Sequence, residues 1–261
     1  MSLRIAFDLD GVLADMDAAL IRQAESVFGE AITRQLQQSS EKTEAPGQAA
    51  DDPAADDTSA PPDTTAATPP SPADGNPPVV KLNLTSRQER TLWRQISRVE
   101  NFWETLDEIE PGVIARLASL ASERRWEIIF LTKRPKTTGW TAQVQSQRWL
   151  ASRGFPFPSV YVVQGSRGRI ASALDLDVVI DDRPENCLDI IVDSKARAIL
   201  VWRDSEKTLP AAAQRLDIGV VRSVADCLDI LTTLDRPEAQ QDPGFLARVR
   251  RMLGLKDAAG A

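Results

Sequence analysis

Residues 5–15 read IAFDLDGVLAD, a short apolar run closed by two aspartates one residue apart, a glycine, and then apolar residues again. The run is short and apolar enough for a buried strand, and along a strand the side chains at i and i+2 share a face. Asp8 and Asp10 would then stand side by side with like charge, which destabilises a sheet unless something compensates. The stretch therefore reads as a strand end that meets a cation, a substrate or a helix start.

Working outward, apolar runs recur at 126–131, 159–163, 177–180, 198–202 and 219–221. Between them lie helical patterns: Leu20, Ala24, Val27 and Phe28 within 17–31, then Leu92, Ile96, Val99 and Trp103. Further helices are predicted from near Pro111, over 141–151, near 170–174 and from Pro184. Ser86 and Glu89 fit a capping box for the second stripe. Strands of this length, apolar throughout and alternating with helices, predict an α/β fold with a doubly wound parallel sheet covered on both faces.

The 261 residues are 42% hydrophobic, enough for one sizeable core. No apolar run approaches the roughly 18 residues of a membrane span, and no leader pattern precedes the first strand, so the chain reads as soluble and cytoplasmic. The formal charge of -7 is no signature of a cationic partner. Residues 41–78 hold Glu41, Glu44, Asp51, Asp52, Asp56, Asp57, Asp63 and Asp74 against Lys42 alone, and so carry the whole imbalance. From Gln37 to Pro78 there is no large apolar residue, so 37–78 reads as a disordered acidic linker rich in Pro and Ala. Cys187 and Cys227 are too few for a zinc site or a disulfide framework and read as buried thiols.

In such sheets ligands bind at the carboxyl ends of the strands. The first strand ends on Asp8 and Asp10, another on Thr132 with Lys133 and Arg134, a third on Asp181 and Asp182. Four carboxylates meeting in one crevice call for a hard divalent cation held through oxygen, and Mg²⁺ suits a site that also takes phosphate oxygens.

These stretches carry a resemblance. DLDGV at 8–12, LTKRP at 131–135 and IDDRPEN at 180–186 resemble motifs I, II and IV of the haloacid dehalogenase (HAD-like) superfamily, in that family's order and at its strand ends. With NFWETL at 101–106 and the pair Pro111-Gly112, they are most similar to the branch of 5′(3′)-deoxyribonucleotidases and 5′-nucleotidases. The resemblance covers about residues 1–20 and 100–202. It implies a HAD-like core over 1–20 and 100–235, a small helical cap inserted after the first strand over 21–99, and a separate amphipathic tail over 236–261. It further implies an Mg²⁺-dependent phosphatase in which Asp8 is the nucleophile and forms an aspartyl phosphate, while Asp10 is the general acid and base. Thr132, Lys133 and Arg167 would bind the phosphate. Asp8, the backbone carbonyl of Asp10, Asp181 and Asp182 would hold the metal. The substrate would be a small phosphoester, with nucleoside monophosphates among the candidates. Where the family places a lysine before the DD strand, this chain reads QGSRGRIASALDLD, with Arg167 the best positional match and Arg169 the next. An arginine fork does not always fill a site shaped for an ammonium. The alternative reading is accordingly a catalytically attenuated module that binds Mg²⁺ and phosphate ligands in a regulatory or scaffolding role.

Other residues carry plainer readings. Asp15 and Asp17 are expected to start a helix, Glu185 and Asn186 to shape a turn, and Cys187 to pack. Trp93, Trp103 and Trp140 read as core rather than as a base-stacking platform, and 244–256 as an amphipathic helix that docks on protein. No Gly-rich nucleotide loop and no basic-aromatic patch for a nucleic-acid polymer is present.

Overall fold

The computed structural model describes residues 3–44, 82–205, 208–211, 213, 216 and 218–234. β1 (Arg4–Asp8) is followed by α1 (Met16–Phe28), α2 (Glu30–Glu44), α3 (Ser86–Ile96) and α4 (Val113–Arg124). Then come β2 (Glu127–Thr132), α5 (Ala142–Ser152), β3 (Ser159–Val162), α6 (Arg167–Ala173), β4 (Val178–Asp181), α7 (Pro184–Asp193), β5 (Arg197–Val201), β6 (Gly219–Val221) and α8 (Val224–Leu234).

The six strands form one parallel sheet in the order β3-β2-β1-β4-β5-β6. It is the α/β, doubly wound arrangement that the alternating runs predict. The strand period of two sorts the core: Ile5, Phe7, Phe130 and Ile180 face one layer with Leu20, Leu117, Trp149 and Leu228. Ala6, Leu131, Val179 and Leu200 face the other, with Ala171, Cys187 and Ile190 of α6 and α7. The chain winds outward from β1 in both directions, so the crevice between β1 and β4 is the topological switch point. The register sets Asp8 beside Leu131 of β2, and Phe7 beside Ile180 of β4, so the three strands end at one level.

Three local expectations are corrected. The helix predicted over 17–31 is two helices, because Gly29 at φ +83° ends α1 and a new helix starts at Glu30. That second helix continues to Glu44, so 37–44 is helical where a linker was expected; its Gln, Glu and Lys are good helix formers, and Arg34 pairs with Glu30 one turn before it. Residues 45–78 of the expected linker lie outside the described residues, as does the tail at 236–261. The capping box of α3 sits one residue earlier than Ser86 and Glu89: Thr85 is extended, its hydroxyl accepts from Gln88 N, and the Gln88 side chain accepts from Thr85 N. Among the described residues, α1, α2 and α3 fill the connection between β1 and α4, with α1 packed on both α2 and α3. No described helix is long and apolar enough to cross a membrane.

Candidate functional site

Asp8 is the last residue of β1, and Asp10 lies in the turn beyond it. Each carboxylate meets its own guanidinium. Arg167 Nη2 donates to Asp8 Oδ1, while Arg167 Nε lies 3.8 Å from Asp181 Oδ2. Arg134 Nε donates to both oxygens of Asp10 at 3.0 Å, Nη2 donates to Oδ1 at 2.8 Å, and the Thr132 hydroxyl donates to Oδ2 at 2.9 Å. The repulsion implied by two aspartates on one face is thus relieved by two arginines, Arg134 just beyond the end of β2 and Arg167 in the first turn of α6.

Local sequence explains how each arginine arrives. Ser166 caps α6 by accepting from Arg169 N at 3.0 Å, which puts Arg167 in the first turn rather than in the loop that the expected 170–174 helix would leave. Gly168 lets that turn press on α7, since a Cβ there would collide with the Asp189 carbonyl. Arg134 is fully buried, stacked on Trp103 and Trp149 at 5.0 and 5.7 Å, and its Nη1 donates to Ser146 Oγ. The sequence reading placed Arg134 at a strand end but assigned it no role. The signal was present in the period of two, since Thr132 and Arg134 share a face as Asp8 and Asp10 do, whereas Lys133 between them is exposed.

At the end of β4 both Asp181 oxygens accept from Asn186 Nδ2 at 3.0 Å, and Oδ1 also accepts from Arg183 N at 2.9 Å. Asn186 therefore shapes the turn, as expected. Asp182 points across the mouth: a Cβ on Gly11, whose φ is +85°, would collide with its carboxylate. Asp10, Gly11, Asp17, Asp182 and Glu185 line a cavity of about 220 Å³. Burial pushes the carboxyls of Asp8 and Asp181 up from the ordinary range, with Arg167 pulling both back. Burial, then the charge of Asp181, pushes Asp182 up to about 7.

Two buried atoms in this crevice have no hydrogen-bond partner, Oδ1 of Asp182 and Nη1 of Arg167. Native interiors rarely leave such groups unmet. One is an acceptor suited to a cation and the other a donor suited to an anion. By donor chemistry Asp8, Asp182 and the carbonyl of Asp10 fit a hard cation, and the carboxylates present exceed the charge that Arg167 offsets. They are not drawn together into a ready ligand set, however; no group of three or more acidic, Cys or His side chains among the described residues is spaced to hold an ion. Of the expected phosphate ligands, Arg167 pairs with Asp8, the Thr132 hydroxyl is engaged with Asp10, and neither Arg167 nor Lys133 lines the cavity at Asp10 and Asp182. Asp15 caps α1 through Ala18 N, and Cys187 and Cys227 are buried free thiols. Trp103 is core while Trp140 is exposed.

Fold and site together define a doubly wound α/β protein with an acidic, arginine-bridged crevice at the carboxyl edge of its sheet. No protein-family profile and no curated protein matches the chain. Among solved structures, a Thermotoga maritima protein described as a beta-phosphoglucomutase is similar at 17% identity with a TM-score of 0.49, over 88% of this chain and 98% of that one. An L-2-haloacid dehalogenase is similar at 16% identity with a TM-score of 0.42, over 88% of this chain and 100% of that one. Likeness at this level adds nothing to what the site's own geometry supports.

Proposed function

We propose that this chain is an Mg²⁺-dependent phosphomonoesterase of HAD-like type, acting on a nucleoside monophosphate or a similar small phosphoester. The observation that carries the reading is the pair of unpartnered buried atoms, Asp182 Oδ1 and Arg167 Nη1, flanking Asp8 at the switch point. Together they ask for a cation and an anion in one place. The narrower assignment to nucleotides rests on the resemblance of LTKRP, IDDRPEN and NFWETL.

In this reading a carboxylate oxygen of Asp8 attacks phosphorus in line, a P–O bond forms as the bond to the leaving alkoxide breaks, and Asp10 supplies that alkoxide with a proton. Water, losing a proton to Asp10, then attacks phosphorus and releases Asp8. Arg167 serves as the family's lysine would, holding Asp8 and offering Nη1 to a phosphoryl oxygen. Arg134 and Thr132 hold the Asp10 carboxyl, and the Thr132 hydroxyl would reach a phosphoryl oxygen by giving up its bond to Asp10. The metal, held by Asp8, Asp181, Asp182 and the carbonyl of Asp10, would neutralise phosphate charge.

A second reading is favoured by the same two arginines: with Asp8 and Asp10 both neutralised by guanidinium, the chain would bind phosphate ligands and turn over little. Phosphate release from a panel of ribonucleotides, deoxyribonucleotides and sugar phosphates, with and without Mg²⁺, separates the two. The phosphatase predicts release that needs Mg²⁺ and falls at least a thousandfold in Asp8→Asn. Folded protein that binds Mg²⁺ and phosphate yet releases nothing from any member of the panel would leave the binding module standing.

A further inference from the structure

The cleft between α3 and the loop after β2 is a cavity of about 250 Å³ that shares no residue with the crevice at Asp10 and Asp182. One wall is α3, where Arg90 and Arg94 lie one turn apart on the same face; the other is the loop, which contributes Lys136. No carboxylate lines it. Nor does any of the three cations pair with a carboxylate among the described residues, although Arg4, Arg22, Arg116, Arg148 and Arg203 all do. Like charges one turn apart on a helix repel, so the arrangement is uncompensated as it stands.

An independent feature sits at the same place. Trp93, between the two arginines in sequence, is 5% exposed and lines the cavity, and its Nε1–H is a buried donor with no hydrogen-bond partner. An indole N–H can only donate, so what satisfies it must be an acceptor. Three unpaired cations around it select a negatively charged one.

We infer that this cleft binds a phosphate group, whether inorganic phosphate or the phosphate of a small molecule. Several acceptor oxygens on one dianion can meet Arg90, Arg94, Lys136 and the Trp93 indole together. The volume falls just short of the roughly 300–1,000 Å³ typical of drug-sized ligands, which suits a small phosphorylated compound. A bound anion would tie α3 to the loop after β2, the segment that carries Arg134 and whose Pro135 carbonyl accepts from Trp103 Nε1 at 2.9 Å. The inference stands whether or not the other crevice hydrolyses anything.

The test is a titration of the full chain, labelled with ¹⁵N-tryptophan, with inorganic phosphate and in parallel with methylphosphonate at constant ionic strength. The Trp93 indole resonance is assigned by its absence in Trp93→Phe. A saturable shift of that resonance is expected, weakened at least tenfold in the Arg90→Ala, Arg94→Ala double variant and also in Lys136→Ala. A shift with both probes identifies a site for phosphate carried on a small molecule, and one with phosphate alone a site for the free ion. A resonance that does not move, or moves equally in the variants, overturns the inference, even where phosphate binds at Arg167.

Discussion

Arg134 shows how much a single side chain can decide. It is buried between two indoles and spends its fork on Asp10 and Ser146, so its removal strands a largely buried carboxylate. Breaking one side of such a pair typically costs about 3–5 kcal/mol. Arg134→Ala is expected to lose stability on that scale in urea unfolding. Arg134→Lys keeps the charge but not the fork or the stacking, so it should recover part of the stability while phosphate release remains at least tenfold low. Release at the parent rate in Arg134→Lys would show that Asp10 needs only a positive neighbour. The residue pattern made Asp8, Asp10, Asp181 and Asp182 legible because acidic side chains at apolar strand ends are conspicuous. The burial of Arg134 between two indoles was not legible, because Trp103 and Trp149 lie 31 residues before it and 15 after. Sequence periodicity does not say which indoles meet across a core.

At the scale of elements, α3 is fixed both at its start and along one face. Its capping box at Thr85 and Gln88 satisfies donors at the helix start, and Leu92, Trp93 and Ile96 are buried on one face. Thr85→Ala should cost about 1 kcal/mol. Thr85 touches neither the crevice nor the phosphate cleft, so phosphate release should stay within twofold of the parent; a larger loss would mean that the crevice depends on how firmly α3 is seated. The strands were readable to within a residue or two, since an uninterrupted apolar run between polar turns has few other places to go. The insertion was read less well: Gly29 breaks one expected helix into two, and α2 runs on to Glu44 through residues with good helix propensity but no large apolar side chain. Low hydrophobicity argues against a packed core, and a surface helix needs less of one.

For the whole molecule, the crevice makes stability depend on pH. Asp8, Asp181 and Asp182 all have carboxyls raised in the fold, Asp182 to about 7. An unfolded aspartate titrates near 3.9, so across this window the folded chain binds more protons than the unfolded one. Stability from these groups is then complete below about pH 4 and lost as pH rises through their raised folded values, which for Asp182 is about 7. Without metal, the melting temperature should fall from pH 5 to pH 8. Under the phosphatase reading, Mg²⁺ should restore part of it at pH 8, because a cation favours the ionised carboxylates. Calorimetry at the two pH values checks both, and a metal-free melting temperature that rises toward pH 8 would contradict the assignment of buried, proton-holding carboxyls.

The sequence by itself determined the α/β class, the parallel doubly wound sheet and the strand ends where the acidic residues gather, because hydrophobic period and turn chemistry are local and act on every residue of an element. Only the tertiary structure decided which charges meet. Arg167 closes on Asp8, Arg134 on Asp10, and Trp93 is left with an unmet donor beside three unpaired cations. Those pairings join residues far apart in the chain and depend on side-chain direction within a few ångströms, a distance over which the sequence pattern carries no information.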